Sequence, residues 1–263
     1  MINHLWQSTV FAAWIALACF LLRRHSPRLR YWLWLAASLK FLVPFSLLMQ
    51  AGATFEPTPT APHAPVFSAA QVEQLSTAFA PLPPAPATPY WAWVWGAGVL
   101  AVLAWRGRQW LTLARARRAA TPVALPDFPI PALTTDAPIE PGIFGLVRPV
   151  LLVPRGLFKS IGAGELEAIL AHELCHARHR DNLTAALHMI TEAAFWFHPL
   201  VWWIGARLIA ERERHCDESV LAAGGEAETY ARGILNVCRL YMPAPLPCAA
   251  GVTGADLKQR IRD

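Results

Sequence analysis

HELCHARHRDN at 172–182 and ERERHCDESVL at 211–221 decide how this chain is read. On a helix, His172 and His176 stand one turn apart on one face, so two neutral imidazoles can grip one Zn²⁺. Glu173 between them is free to act as general base on an activated water. A catalytic zinc takes a third protein ligand and keeps one position open. Glu213, 37 residues after His176, is the candidate, because Asp217 follows it by one helical turn. An E-x-x-x-D pair offers a metal carboxylate, Glu213, and a second carboxylate, Asp217, that orients a ligand histidine. The expected cofactor is one Zn²⁺ per chain. ELEAILA at 165–171 carries no Gly or Pro and supports a helix running into the motif. No other His/Cys group has zinc-finger spacing.

The rest of the composition points to a membrane. Of 263 residues, 55% are hydrophobic and only 16% charged, too apolar for an ordinary soluble domain. Three stretches, about 3–22, 31–50 and 88–107, approach the roughly 20 residues that cross a hydrocarbon core. Arg23, Arg24, Arg28 and Arg30 crowd the loop after the first, and Arg106, Arg108, Arg115, Arg117 and Arg118 follow the third. No Lys or Arg lies between Lys40 and Arg106. The positive-inside rule then puts the N-terminus and the 51–89 loop outside and everything after about 106 in the cytoplasm. That loop holds nine Pro and should lack its own core. Within it, 66–79 reads equally as a short amphipathic helix or a spacer. Lys40, mid-span, is expected to snorkel or to pair inside the bundle. The net charge of +5 follows from this topology and suits anionic headgroups. No nucleic-acid motif is present, so direct nucleic-acid binding is not expected.

The expected fold class is mainly α: an integral membrane protein with three N-terminal transmembrane helices and a zincin-like α+β metallopeptidase domain. Residues 1–118 form the transmembrane region and 119–263 the cytoplasmic, membrane-associated domain. In the latter, 119–135 is a Pro-punctuated connector. IFG at 143–145 and VLLV at 150–153 predict a small sheet of two or three strands, whose edge could hold an extended peptide. The metal helix runs from about Gly164 to His179, with Asp181 capping the next one. Residues 183–209 are apolar enough to cross the membrane. A simple crossing would put His176 and Glu213 on opposite sides, so the segment must turn back, and His198-Pro199 is the natural break. Two helices, about 182–197 and 199–223, follow, with a Trp-rich apex dipping into the inner leaflet. His188 and His198 read as core histidines, and Cys175 and Cys216 as packing residues. Residues 228–242 form a last helix. Tyr230 on it is a candidate oxyanion stabiliser, although packing is its commoner role. Disulfides are not expected for the four cytoplasmic cysteines among the five. GADLKQRIRD at 254–263 ends without closure, as expected of a domain cut from a longer polypeptide.

PGIFGLVRPVLLVP, HELCHARHRDN, FHPLVWW, ERERHCDESVL and LKQRI, in that order, resemble the BlaR/MecR family of bacterial membrane zinc metallopeptidases. The resemblance covers nearly the whole chain. It implies a gluzincin-type protease of the bacterial cytoplasmic membrane, multi-pass, with its site at the cytoplasmic face. His172, His176 and Glu213 match the ligands and Glu173 the base. Beta-lactam-sensing members add a further span and a penicillin-binding domain. Neither S-x-x-K nor K-T-G occurs here, so the resemblance does not carry antibiotic sensing. Expected partners are the lipid bilayer and a cytoplasmic protein substrate, a transcriptional repressor by analogy or the chain itself. A homo-oligomer is compatible with the sequence. Two other classes stay open: a CAAX-processing or quality-control membrane peptidase, and a signalling relay with little peptidase activity.

Overall fold

A computed structural model of the protein describes residues 2–43, 90–126 and 128–241. The loop expected to be external (51–89), the 66–79 segment within it, the ends of the second and third expected spans and the closing LKQRI lie outside these residues. The chain divides into two compact units, Met1–Val43 with Gly98–Asp263, and Pro44–Ala97. Of the second unit, only residues 90–97 are described.

The architecture is mainly helical with one small mixed sheet. Helix α1 (Ile2–Leu21) is uncharged throughout, and α2 (Pro27–Leu42) starts on a proline behind Ser26, whose hydroxyl accepts from the Arg28 N–H. Helix α3 spans Tyr90–Ala119. Among the described residues one helix, Asn3–Leu21, is long and apolar enough to cross a membrane. The expectation of three such spans therefore rests on one here. Helix α2 covers 16 described residues, and repeated Trp dilutes the apolar character of α3.

Four strands follow: β1 (Thr121–Val123), β2 (Ala132–Thr135), β3 (Gly142–Phe144) and β4 (Val150–Pro154). Their order is β1-β2-β4-β3, with β2 and β4 parallel and the outer pairs antiparallel. The sheet thus exceeds the two or three strands expected, because the connector 119–135 supplies β1 and β2. Its prolines masked this. Pro122 is tolerated because β1 is an edge strand, where a missing N–H breaks no ladder. Strand β4 is central and buried on both faces: Leu151 and Val153 pack with Leu157, and Leu152 with Ala116 and Ile139.

The remaining helices are α4 (Leu157–Ser160), α5 (Ala163–His179), α6 (Asp181–Ala194), α7 (Pro199–Ala222) and α8 (Ala227–Tyr241). Helices α6 and α7 turn back at His198-Pro199, as the single-ion argument requires. They pack closely at Gly205, where a Cβ would lie 2.5 Å from His188 Nε2. The apolar first half of α7 (Val201, Ile204, Leu208) shares one core with Ala12, Trp34 and Phe41 of α1 and α2. The hairpin apex reaches the far end of this pair. The His198 ring lies 5.3 Å from Phe41, and Phe195 contacts both Phe41 and His4. These residues sit at the end of the α1–α2 hairpin remote from its 22–26 loop. At the loop end, buried Arg30 bonds Glu211 of α7 at 2.8 Å and the carbonyls of Leu22, Arg23 and His25. Both ends of α1–α2 are thereby fixed to the α6–α7 hairpin. Lys40 contacts Ser8 Oγ and the Val43 carbonyl, each at 3.4 Å.

Candidate metal centre

Helix α5 carries the first half of the site. Its first turn is anchored by Glu165, whose carboxylate accepts from the Gly162 N–H at 3.4 Å and from Asn236 of α8 at 3.0 Å. Its end is set by Arg180, which adopts left-handed backbone angles (φ 54°, ψ 41°). A residue with a Cβ pays roughly 1–2 kcal/mol for that conformation. The sharp reversal lets α6 begin at once, at Asp181, and turns the Asp181 carboxylate back onto His176 Nδ1 at 2.7 Å. Asn182 secures the same corner by donating to the carbonyls of Ile143 (2.8 Å) and Gly145 (3.2 Å).

Helices α5 and α7 bring His172, His176 and Glu213 together, with one ligand atom from each within 4.8 Å of the others. The two Nε2 atoms are 3.0 Å apart, and the Glu213 oxygens lie 3.4 Å from His172 Nε2 and 3.7 Å from His176 Nε2. All three are buried, as is Glu173 at 5% exposure.

The outer ring nitrogens fix the tautomers. A carboxylate only accepts, so His176 Nδ1 holds its proton toward Asp181. On His172, Nδ1 lies 2.7 Å from the Tyr230 hydroxyl, which donates its single proton to Asp217 Oδ1 at 2.5 Å. The phenol oxygen must then accept from His172 Nδ1–H. Both Nε2 atoms consequently turn lone pairs toward each other beside the Glu213 carboxylate. Such a set repels itself without a cation. Two nitrogens on a tetrahedral zinc at 2.0–2.1 Å would be about 3.3 Å apart, so the donors fit Zn²⁺ after a small outward shift. Burial holds His176 below the ordinary histidine range, against the pull of Glu213, which keeps it neutral as a ligand must be.

Two residues beside the site escaped the sequence reading. Asp181, read as a cap, orients His176. Arg212, 9% exposed, sets its guanidinium 3.4 Å from Glu213 Oε1. Burial alone would lower its pKa, but Glu213 and Asp181 outweigh this and raise it, so the cation persists. The H-x-x-x-x-D spacing was visible, but only a left-handed residue at 180 gives it meaning. Tyr230 reaches His172 because α8 presses against α5 at Gly233, where a Cβ would lie 3.3 Å from the Glu165 carbonyl. Its hydroxyl engages His172 and Asp217. His188 bonds Ser38 Oγ at 2.8 Å and His198 contacts Thr9 Oγ1 at 3.2 Å, so both lie within the helix bundle. Cys175 and Cys216 are buried free thiols.

Paired histidines on one helix, with a carboxylate from a second, define the HExxH class of metal-dependent peptidases. Within it, the chain belongs to the BlaR1 peptidase M56 family, whose sequence profile matches residues 3–262. It is 33% identical over 82 residues to the regulatory protein BlaR1 of Bacillus licheniformis and 30% over 82 residues to the methicillin resistance mecR1 protein of Staphylococcus aureus. Each match covers 31% of this chain and 14% of the relative. A protease HtpX homolog of Moorella thermoacetica is 36% identical over 89 residues, 32% of this chain and 30% of that protein. The chain thus spans less than a third of the length of these relatives.

Proposed function

We propose that this chain is a membrane-embedded zinc metalloendopeptidase that cleaves a cytoplasmic protein, a regulator or its own chain, in signal transduction. The observation that carries the reading is the convergence of His172 Nε2, His176 Nε2 and Glu213 while Asp181 and the Tyr230–Asp217 pair hold the outer nitrogens. His172, His176 and Glu213 are the ligands. Bound there, Zn²⁺ would supply Lewis acidity to the scissile carbonyl and the attacking water. Glu173 takes a proton from that water and returns it to the leaving amine, so water adds across the amide and both fragments leave neutral in sum. Asp181, Asp217 and Tyr230 are positioning residues. Tyr230 is assigned this role in place of oxyanion stabilisation, because its only proton is given to Asp217.

Burial of the site beside the α6–α7 hairpin favours a substrate drawn from the membrane surface. The outer edge of β3 already gives the Ile143 carbonyl to Asn182, so a peptide adding there must displace that bond. The regulatory name of the BlaR1 relative supports a signalling role; we place the site at the cytoplasmic face of a bacterial inner membrane. The match to a protease HtpX homolog supports peptidase activity and is compatible with a second reading, a CAAX-processing or quality-control membrane peptidase. Comparing newly formed protein N-termini in cells expressing the parent or Glu173→Gln separates the two. A single regulator cut only by the parent supports signalling, many damaged membrane proteins support quality control, and no difference at all removes the peptidase reading.

A further inference from the structure

Cys175, His179 and His215 form a second donor cluster that the peptidase reading leaves unused. One ligand atom from each lies within 4.8 Å of the others. His179 follows Cys175 by one turn of α5, and His215 comes from α7. The His179 Nδ1 is 2.8 Å from the Cys175 carbonyl oxygen, which only accepts, so that nitrogen carries the ring proton. Its Nε2 is therefore a lone pair, and it lies 3.2 Å from His215 Nε2. The Cys175 sulfur lies beside the same ring, 3.4 Å from its Nδ1, and within 4.8 Å of the ligand atoms of both histidines. Cys175 is buried, while the two histidines are partly open to solvent, which gives an ion a way in.

We infer that Cys175, His179 and His215 bind a second metal ion of the zinc class, distinct from the ion held by His172, His176 and Glu213. One sulfur with two imidazoles suits Zn²⁺ and similar borderline-soft ions, and does not suit Mg²⁺ or Ca²⁺, which take oxygen ligands. The cluster sits three residues further along α5 than the first donor set, a rise of about 4.5 Å. An ion there ties the last turn of α5 to α7. These are the two helices whose spacing decides whether Glu213 meets the histidines. The inference stands apart from the peptidase reading, since it uses none of that site's residues.

Cobalt separates the two sites. The first donor set contains no sulfur, so a thiolate-to-cobalt charge-transfer band in the near ultraviolet reports the second alone. Purified full-length protein loaded with Co²⁺ should hold about two ions per chain and show the band. Glu213→Ala should keep the band, which makes a failure of the first site distinguishable from a failure of this one. Cys175→Ser should abolish the band, and His215→Asn, a change at a partly exposed side chain, should bring the ion count down by about one. Cys216→Ser should retain the band. About one ion per chain with no sulfur band overturns the inference. The 3.2 Å contact is then an ordinary hydrogen bond from His215 to His179. A band removed by Cys216→Ser but not by Cys175→Ser overturns it as well.

Discussion

The Tyr230 hydroxyl lies 2.7 Å from His172 Nδ1 and passes its proton to Asp217, so one phenol links a carboxylate to a metal-facing imidazole. Removing that oxygen leaves Asp217 3.3 Å from the same nitrogen, close enough for a weaker direct contact. Tyr230→Phe should therefore lower metal affinity or turnover on the order of 10-fold, within the 10–100-fold range typical of groups that orient ligands. Competition with a metal chelator gives the affinity. Unchanged affinity and turnover in Tyr230→Phe would show that the phenol only fills space.

Glu173 and Glu213 should fail in different ways. Glu213→Ala should hold about one zinc ion per chain fewer than the parent, whereas Glu173→Gln should keep the parental zinc content and lose hydrolysis by at least about 100-fold. Metal content and peptide cleavage measured on the same preparation decide this. Zinc content in Glu213→Ala equal to that of the parent would sink the ligand assignment.

The metal-free protein should lose stability as pH falls. Burial depresses the folded-state pKa of His176, so below about pH 6.5 the unfolded chain binds a proton that the folded chain refuses. The contribution is fully present above that pH and is lost on acidification. Thermal midpoints of chelated protein should drop between about pH 7 and 5, and His176→Gln should flatten the slope. Equal slopes for parent and variant would contradict the assignment.

Arg30 and Glu211 are both buried, with side chains 7% and 2% exposed. Truncating Arg30 leaves the buried Glu211 only the longer contact to Arg214, 3.6 Å from its other oxygen, so Arg30→Met should cost up to about 3–5 kcal/mol. Because Glu211 precedes Glu213 on α7 by two residues, zinc affinity should fall too. Arg30→Met with parental stability in detergent denaturation would show that water reaches Glu211.

The α6–α7 hairpin makes a topological prediction. Arg178 and Glu218 are exposed and flank the metal helices. In a background without other cysteines, Arg178→Cys and Glu218→Cys should react with an impermeant thiol reagent only after the cytoplasm is opened. Thr60→Cys in the external loop should react from outside, and Phe197→Cys at the apex should be shielded by lipid. Labelling of 178 and 218 from opposite faces would break the single-ion site and the hairpin together.

The sequence alone determined what depends on near neighbours. A four-residue spacing puts His172 and His176 on one face of any α-helix. Pro199 disfavours helix at the residue before it, and His176 and Glu213 must reach one ion, so the turn between α6 and α7 was legible. Helix bounds from Ala163 onward follow the sequence expectation within a few residues. Strands β1 and β2 were not legible, because their residues bury apolar surface only once β4 lies beside them. Nor were the partners of the two histidines. Asp181 reaches His176 through one left-handed residue, and Tyr230 reaches His172 across 58 positions because α8 packs on α5. The depth of the hairpin, with His198 against Phe41, also belongs to tertiary structure. Local spacing fixes the face of a helix. Which distant side chain meets that face is fixed by close packing, where one methyl group at Gly205 or Gly233 would change the answer.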